Sequence, residues 1–355
     1  MGYNDFKHFD ERDALFRNSK GKVKPAPELP YGTLVADTHC HLGMFPEPGL
    51  TLAQAAAHGV DFICCMTDPT RPELDGDDGD VTRRTARDTY DGLGAWFDDA
   101  AALLEEWGMA QAVMPRVRFA CGVHPHNAKY FDDARGELAA LLARPETSCL
   151  GEVGLDYHYD FSPRDVQREV FAVQLQMAQE HGLPVSLHLR EAHDDALVIL
   201  RETGVPKAGC IVHCFNLDAQ TLAPFLELGC YVAFGGPLTF KKSWETRAAA
   251  LDVPVDRLLT ETDAPYMAPE PLRGTVCTPS QTVFTLRELL DCFGYAGAEH
   301  AFELLQPRQS DIDKGAVAPV TSMPDYAALQ RGLTEAQFAE HVFQNAIDLL
   351  DVKRG

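Results

Sequence analysis

Eight short apolar runs, each separated from the next by a longer, mostly helix-length stretch, constrain this chain more than any other feature of its sequence. The runs are TLVADTH (33–39), DFICCM (61–66), VRFACGVHP (117–125), SCLGEVGL (148–155), PVSLHLR (184–190), GCIVHCF (209–215), CYVAFGG (230–236) and RLLTETDAP (257–265). Several are apolar almost throughout, as parallel strands are when both faces of their sheet are covered. Between them lie helical patterns such as TLAQAAAHG, DTYDGLGAWFDDAAALLEEWG and SPRDVQREVFAVQLQMAQEHG. The last predicts a helix capped by Ser162, with Pro163 at its first position and an end near Gly182. Eight repeats of this alternation predict an α/β fold closed as a (β/α)8 TIM barrel, with a doubly wound sheet as the competing arrangement.

The 355 residues hold one such barrel, typically of roughly 250 residues, together with additions. Residues 1–32 are polar and broken by prolines, and read as an N-terminal extension; 33–355 read as the barrel. Two departures from the rhythm, near 67–88 and 296–332, read as insertions, and RPELDGDDGD within the first as a solvated acidic loop. No run approaches the roughly 18 apolar residues needed to span a bilayer, and the start lacks the layout of a signal peptide. A cytoplasmic location with no membrane partner is therefore expected. The ten cysteines are scattered without a CxxC pair, which suits a reducing compartment and supports neither a zinc ribbon nor a disulfide framework. With 31 basic against 53 acidic residues, the net charge of −22 disfavours a protein that coats duplex DNA through a broad basic face. It leaves room for an enzyme that grips one or two phosphates beside bound cations.

A barrel brings the carboxyl ends of its strands to one mouth, and the polar residues fall at those ends. His39 and His41, two residues apart, end the first run on one strand face. Glu152 lies in the fourth run, His188 in the fifth, His213 in the sixth and Asp263 in the eighth. Taken singly, each has an ordinary reading: a hydrogen-bonded imidazole, a capping Glu, or an Asx turn before Ala264-Pro265. Taken together, imidazoles and carboxylates on six converging positions would be costly to bury without compensating cations. They can serve one ion with supporting partners or two, and two is the preferred arrangement. Glu152 would bridge them, with His39, His41 and Asp263 on the more buried ion and His188 and His213 on the outer one. Mixed nitrogen and oxygen donors suit Zn, Mn, Co or Ni, and Mg with more water in its shell. Such a centre generates hydroxide near neutral pH, Asp263 would orient it and take its proton, and ions about 4 Å apart suit phosphodiester cleavage.

The run of motifs resembles the TatD-like metal-dependent hydrolases, a branch of the barrel amidohydrolases that includes deoxyribonucleases. DTHCHL is similar to that family's opening metal motif, GVHPH to a signature that points to His124 and His126 at the mouth, and GEVGLDY to the segment with the metal-bridging Glu152. SLHLREA, VHCF and LLTETDAPY then supply His188, His213 and Asp263, and QNA in the last helix is similar to a closing motif. The resemblance implies a deoxyribonuclease, with 3′-exonuclease action as one form; Asp263 and Glu152 are the expected catalytic residues, two divalent ions the expected cofactors, and single-stranded DNA or DNA ends the expected substrate. The chain departs from the family in Asn216-Leu217 after HCF, in Cys277 where Asn is usual, and in the two insertions. These bear on substrate identity rather than on hydrolysis.

An anionic substrate needs donors. Arg190 lies two residues beyond His188 and Arg273 follows the eighth run; His126 and Tyr157 are further contacts, and Lys241 and Lys242 follow the seventh. Asp156 is as suited to orienting a histidine as to touching substrate. A narrow mouth accepts unpaired ends better than intact duplex. Two other readings stand beside this one: a hydrolase of a small phosphoester, amide or lactone, and a non-enzymatic binding protein on a barrel that has lost its chemistry.

Overall fold

A computed structural model describes residues 12–70 and 84–351. The acidic run Arg71–Asp80 lies outside them. Eight parallel strands form one sheet whose order follows the chain: β1 Val35–Cys40, β2 Val60–Thr67, β3 Arg116–Cys121, β4 Thr147–Asp156, β5 Val185–Arg190, β6 Cys210–Val212, β7 Tyr231–Phe234 and β8 Leu258–Thr260. Helices fill the crossovers: α1 Pro48–Ala57, α2 Ala86–Glu106, α3 Phe131–Leu142, α4 Arg164–His181, α5 His193–Thr203, α6 Ala219–Glu227 and α7 Trp244–Ala250. Helix α8, Thr282–Cys292, follows β8. This is the expected (β/α)8 barrel.

Alternate residues of each strand face two apolar layers. Val35, Ile63, Cys65, Phe119, Leu150 and Val232 pack outward with the helices, while Ala36, Phe62, Cys64, Ala120, Cys149 and Ala233 pack inward. The continuous hydrophobicity of the strands follows from this double burial. The last seam, between β8 and β1, has little backbone ladder. Threonines replace it: Thr38 Oγ1 donates to the Thr260 carbonyl at 3.0 Å, and Thr260 Oγ1 to the Ala36 carbonyl at 2.8 Å. Above them Asp263 N–H donates to His39 O and His41 N–H to Ala264 O, so the seam leads directly into the histidines.

The remaining helices are α9 Ala298–Leu304, α10 Gln309–Asp313, α11 Tyr326–Gln330 and α12 Glu335–Leu350. Helix α12 opens with a capping box in which Thr334 and Gln337 satisfy each other's backbone amides. Its Phe343, Ala346, Leu349 and Leu350 join the inward layer and stopper the amino end of the barrel. Asn345 Nδ2 ties it to the carbonyls of Val255 and Leu258, and Arg116 and Arg118 hold Asp351 at its end. On the flank, Phe16 of a short ribbon (Phe16–Arg17 with Val23–Lys24) stacks on His58 and meets Phe284 of α8 edge-on.

One local expectation is corrected. Helix α4 ends as expected at Gly182, in the left-handed conformation (φ 63°), but Ser162 does not cap its start. Pro163 holds the cap position, and Ser162 Oγ donates to His126 O at 2.7 Å and accepts from Lys129 N at 3.1 Å. A longer-range partner, the loop after β3, competes for the hydroxyl and wins.

Candidate metal centre

Glu152 is the hub. It sits in the second half of β4 with only 8% of its surface exposed, and five histidines from other strands and strand ends converge on its two oxygens. Oε1 lies 2.6 Å from His188 Nδ1, 3.1 Å from His213 Nε2 and 3.5 Å from His124 Nε2. Oε2 lies 3.4 Å from His39 Nε2 and 3.8 Å from His41 Nε2. Asp263 stands opposite, its Oδ1 3.5 Å from His41 Nε2 and 3.8 Å from His39 Nε2. All six residues expected from the sequence as ligands therefore meet at one mouth, and His124 joins them.

The neighbouring strands fix this convergence closely. In the β4–β5 register Gly154 pairs with His188 and Asp156 with Arg190. Gly154 has φ 143°, and a Cβ there would lie 2.1 Å from His188 O, so only glycine lets β5 approach.

A divalent cation suits what these residues leave unsatisfied. His39 is fully buried, and its Nε2 has no hydrogen-bond partner among the described residues. Two donors about 2.1 Å from one ion, at 90–110°, sit about 3.0–3.4 Å apart. Glu152 stands at that spacing from both His39 and His213, and its 3.4 Å to His39 is longer than a direct hydrogen bond. Four overlapping triads keep one donor atom from each member within 4.8 Å of the others: His39–His41–Glu152, His39–His213–Asp263, Glu152–His188–His213 and His124–His126–His188.

The charges agree. Burial disfavours ionised Glu152, yet His124, His39 and His213 together hold it well below the usual carboxylate range. Asp263 is likewise buried and likewise lowered, by His41, His213 and His39. Burial also pushes His124 down, to about 3, and lowers His39, which favours the uncharged imidazole that a metal ion needs. His213 and His188 are raised despite burial, by Glu261 and Glu152 for the first and by Asp156 and Glu152 for the second.

Around the hub a second tier of carboxylates aims the rings. Asp156, fully buried, receives His126 Nε2 at 2.8 Å and His188 Nε2 at 3.0 Å on one oxygen. Its other oxygen accepts the amides of His158 and Tyr159, both at 3.0 Å. Glu261 stands 3.3 Å from His213 Nδ1 and accepts Cys214 N–H at 2.6 Å. Asp37 accepts Thr262 Oγ1 at 2.6 Å and the His39 amide, tying β1 to the segment that carries Asp263. Ser186 Oγ reaches His39 Nδ1 at 3.3 Å.

The expected substrate contacts separate. His126 belongs to the cluster. Arg190 leaves the end of β5, with its guanidinium 4.7 Å from the Tyr159 ring centroid. Arg273 is exposed and lies 4.2 Å over Phe240; Lys241 and Lys242 are exposed on the same segment. Tyr157 is committed elsewhere: its hydroxyl donates to Asp195 at 2.6 Å and Arg164 stacks on its ring. Glu261 was not anticipated, although its place two residues before Asp263 in TETD put it on the same strand face. His124 was placed at the mouth from GVHPH without a ligand role.

Fold and centre together define a metal-dependent hydrolase of the barrel type. Comparison with known proteins narrows this: a family model of TatD-related DNases matches residues 36–302. The chain belongs to that family. It is 36% identical over 195 residues to the uncharacterized metal-dependent hydrolase YabD of Bacillus subtilis, an alignment spanning 54% of this chain and 73% of YabD. It is 34% identical over 281 residues to the human 3'-5' RNA nuclease TATDN2, covering 74% of this chain but 33% of TATDN2. The crystal structure of the TatD homologue YJJV from Escherichia coli superposes with a TM-score of 0.61 at 24% identity, over 90% of this chain and 98% of that one. At that identity the superposition speaks for the fold alone. No helix among the described residues is long and apolar enough to cross a membrane.

Proposed function

We propose that the protein hydrolyses phosphodiester bonds at unpaired ends of DNA. Two divalent ions would be held by His39, His41, Glu152, His188, His213 and Asp263, with His124 as a further donor. The observation that carries the reading is the convergence of these side chains on Glu152 and Asp263 with the buried His39 Nε2 left without a partner. When bound, divalent ions make water acidic enough to attack near neutral pH and neutralise charge on a phosphoryl group.

The chain's own residues do the rest. Asp263, kept ionised by the surrounding histidines, orients the attacking water and accepts its proton at a carboxylate oxygen. Glu152 presents one oxygen to each half of the centre. Asp156 and Glu261 keep His188 and His213 turned inward. His126 and Arg190 at the rim receive the non-bridging phosphate oxygens, with Arg273 as an outlying cation. Tyr157 takes no part in the proposal, because its hydroxyl is already given to Asp195. The mouth favours a single strand over a duplex.

The test is cleavage of labelled single-stranded DNA by the purified chain with Mg, Mn, Zn, Co or Ni. Single-stranded RNA runs beside it because of the human relative, with small phosphoester, amide and lactone substrates as controls. We expect DNA to be cut, and His39→Ala or Asp263→Asn to lower the rate at least about a thousandfold. Less than one ion per chain after metal loading, or cleavage indifferent to His39→Ala, would overturn the proposal.

A further inference from the structure

The loop between β4 and α4 carries a feature that metal chemistry does not require. Tyr159 and Phe161 stack on each other, their rings 5.3 Å apart between centroids and inclined by 14°, each still about half exposed (48% and 49%). A stacked pair of half-exposed aromatic rings is unusual on a surface that only has to stay in water. This pair is also fixed in place. Asp156 Oδ1 accepts the amide of Tyr159, Ser162 anchors the loop to His126 O, and Lys129 Nζ donates to Phe161 O at 3.0 Å.

The pair adjoins the metal-binding cluster. The His126 ring meets Phe161 edge-on at 4.8 Å and Tyr159 at 5.4 Å, and His126 shares Asp156 with His188. Arg190 lies over Tyr159, so a cation flanks the aromatic surface on the side of β5. A planar π surface beside a cation, next to a site for a phosphate, is the arrangement that receives a base and its backbone together. The overall charge points the same way. A chain with a net charge of −22 draws little affinity from a polyanion's backbone, and stacking on a neutral ring is not opposed by that charge.

We propose that Tyr159 and Phe161 form a stacking platform for an unpaired nucleobase adjoining the scissile phosphate, with Arg190 on the intervening backbone. The proposal rests on the nuclease reading above. It makes the site selective for strands whose bases are free to leave a helix, and blind to which base is presented, because every base has a π face.

The experiment compares binding of two strands of equal charge to the full chain: decathymidylate and a ten-unit abasic phosphodiester backbone. Fluorescence anisotropy is read with Mg present and Asp263→Asn in place to prevent cutting. Decathymidylate should bind about tenfold more tightly than the abasic strand. In Tyr159→Leu/Phe161→Leu the preference should vanish, both strands binding at the weaker value, and Tyr159→Trp/Phe161→Trp should restore it. Equal binding of the two strands by the parent, or a preference that survives the double substitution, overturns the platform. Decauridylate in parallel tells RNA from DNA, the same loss being expected for the tighter of the two. A base preference without any cleavage by the unsubstituted chain would sink the nuclease reading alone; cleavage without a base preference would sink the platform alone.

Discussion

Asp156 serves two tasks through two oxygens. One holds His126 and His188; the other fixes the loop through the amides of His158 and Tyr159. Asp156→Asn separates them, since its remaining oxygen still accepts the loop amides while the charge that aims the rings is gone. Metal affinity should fall ten- to a hundredfold by competition titration, while the melting temperature of the chelated protein changes by no more than a few degrees. A loss of fold at equal metal affinity would assign Asp156 to the loop alone. The convergence of the candidate ligand residues was legible in the sequence because they stand at or near strand ends, where topology alone brings them together. Tyr159 and Phe161 were not, because their exposure depends on a turn set by Asp156 rather than on any spacing. Tyr157, the aromatic residue expected at the substrate, instead has its hydroxyl taken by Asp195.

At the scale of elements, the alternation of strands and helices was readable because each strand is buried on both faces. Local capping was less so. Ser162 before Pro163 has the form of a helix start, yet its hydroxyl serves the loop after β3. Helix α8 offers a test of a different kind. Glu288, mostly buried 3.5 Å from Arg247, is pushed up to about 7 by desolvation, with Arg247 opposing. Arg247 does not depend on it, because the guanidinium donates to the carbonyls of Leu304, Leu238 and Phe240. A carboxyl group whose pKa is higher folded than unfolded favours the folded state below the unfolded value. That advantage is lost as pH rises from about 4.5 toward 7. Glu288→Gln should therefore leave stability near pH 4 little changed and raise it at pH 8, by at most about 3 kcal/mol in urea unfolding. A gain of the same size at both pH values would place the effect in packing instead.

Across the whole molecule, the candidate metal donors come from β1, β4, β5 and the ends of β3, β6 and β8, so bound ions would tie strands from several sides of the barrel. Binding confined to the folded state stabilises it by about 2.7 kcal/mol per ion at a hundred times Kd. Chelation should lower the calorimetric melting temperature by about 5 °C or more, and readdition of metal should restore it. An unchanged melting temperature would mean that ions are not held by the folded chain at this mouth.

Helix α12 closes the far end of the barrel with Phe343, Ala346, Leu349 and Leu350. The result is a cup, not a pipe. Under the proposed activity, a strand end seated at the mouth has no second exit and leaves by the path it entered.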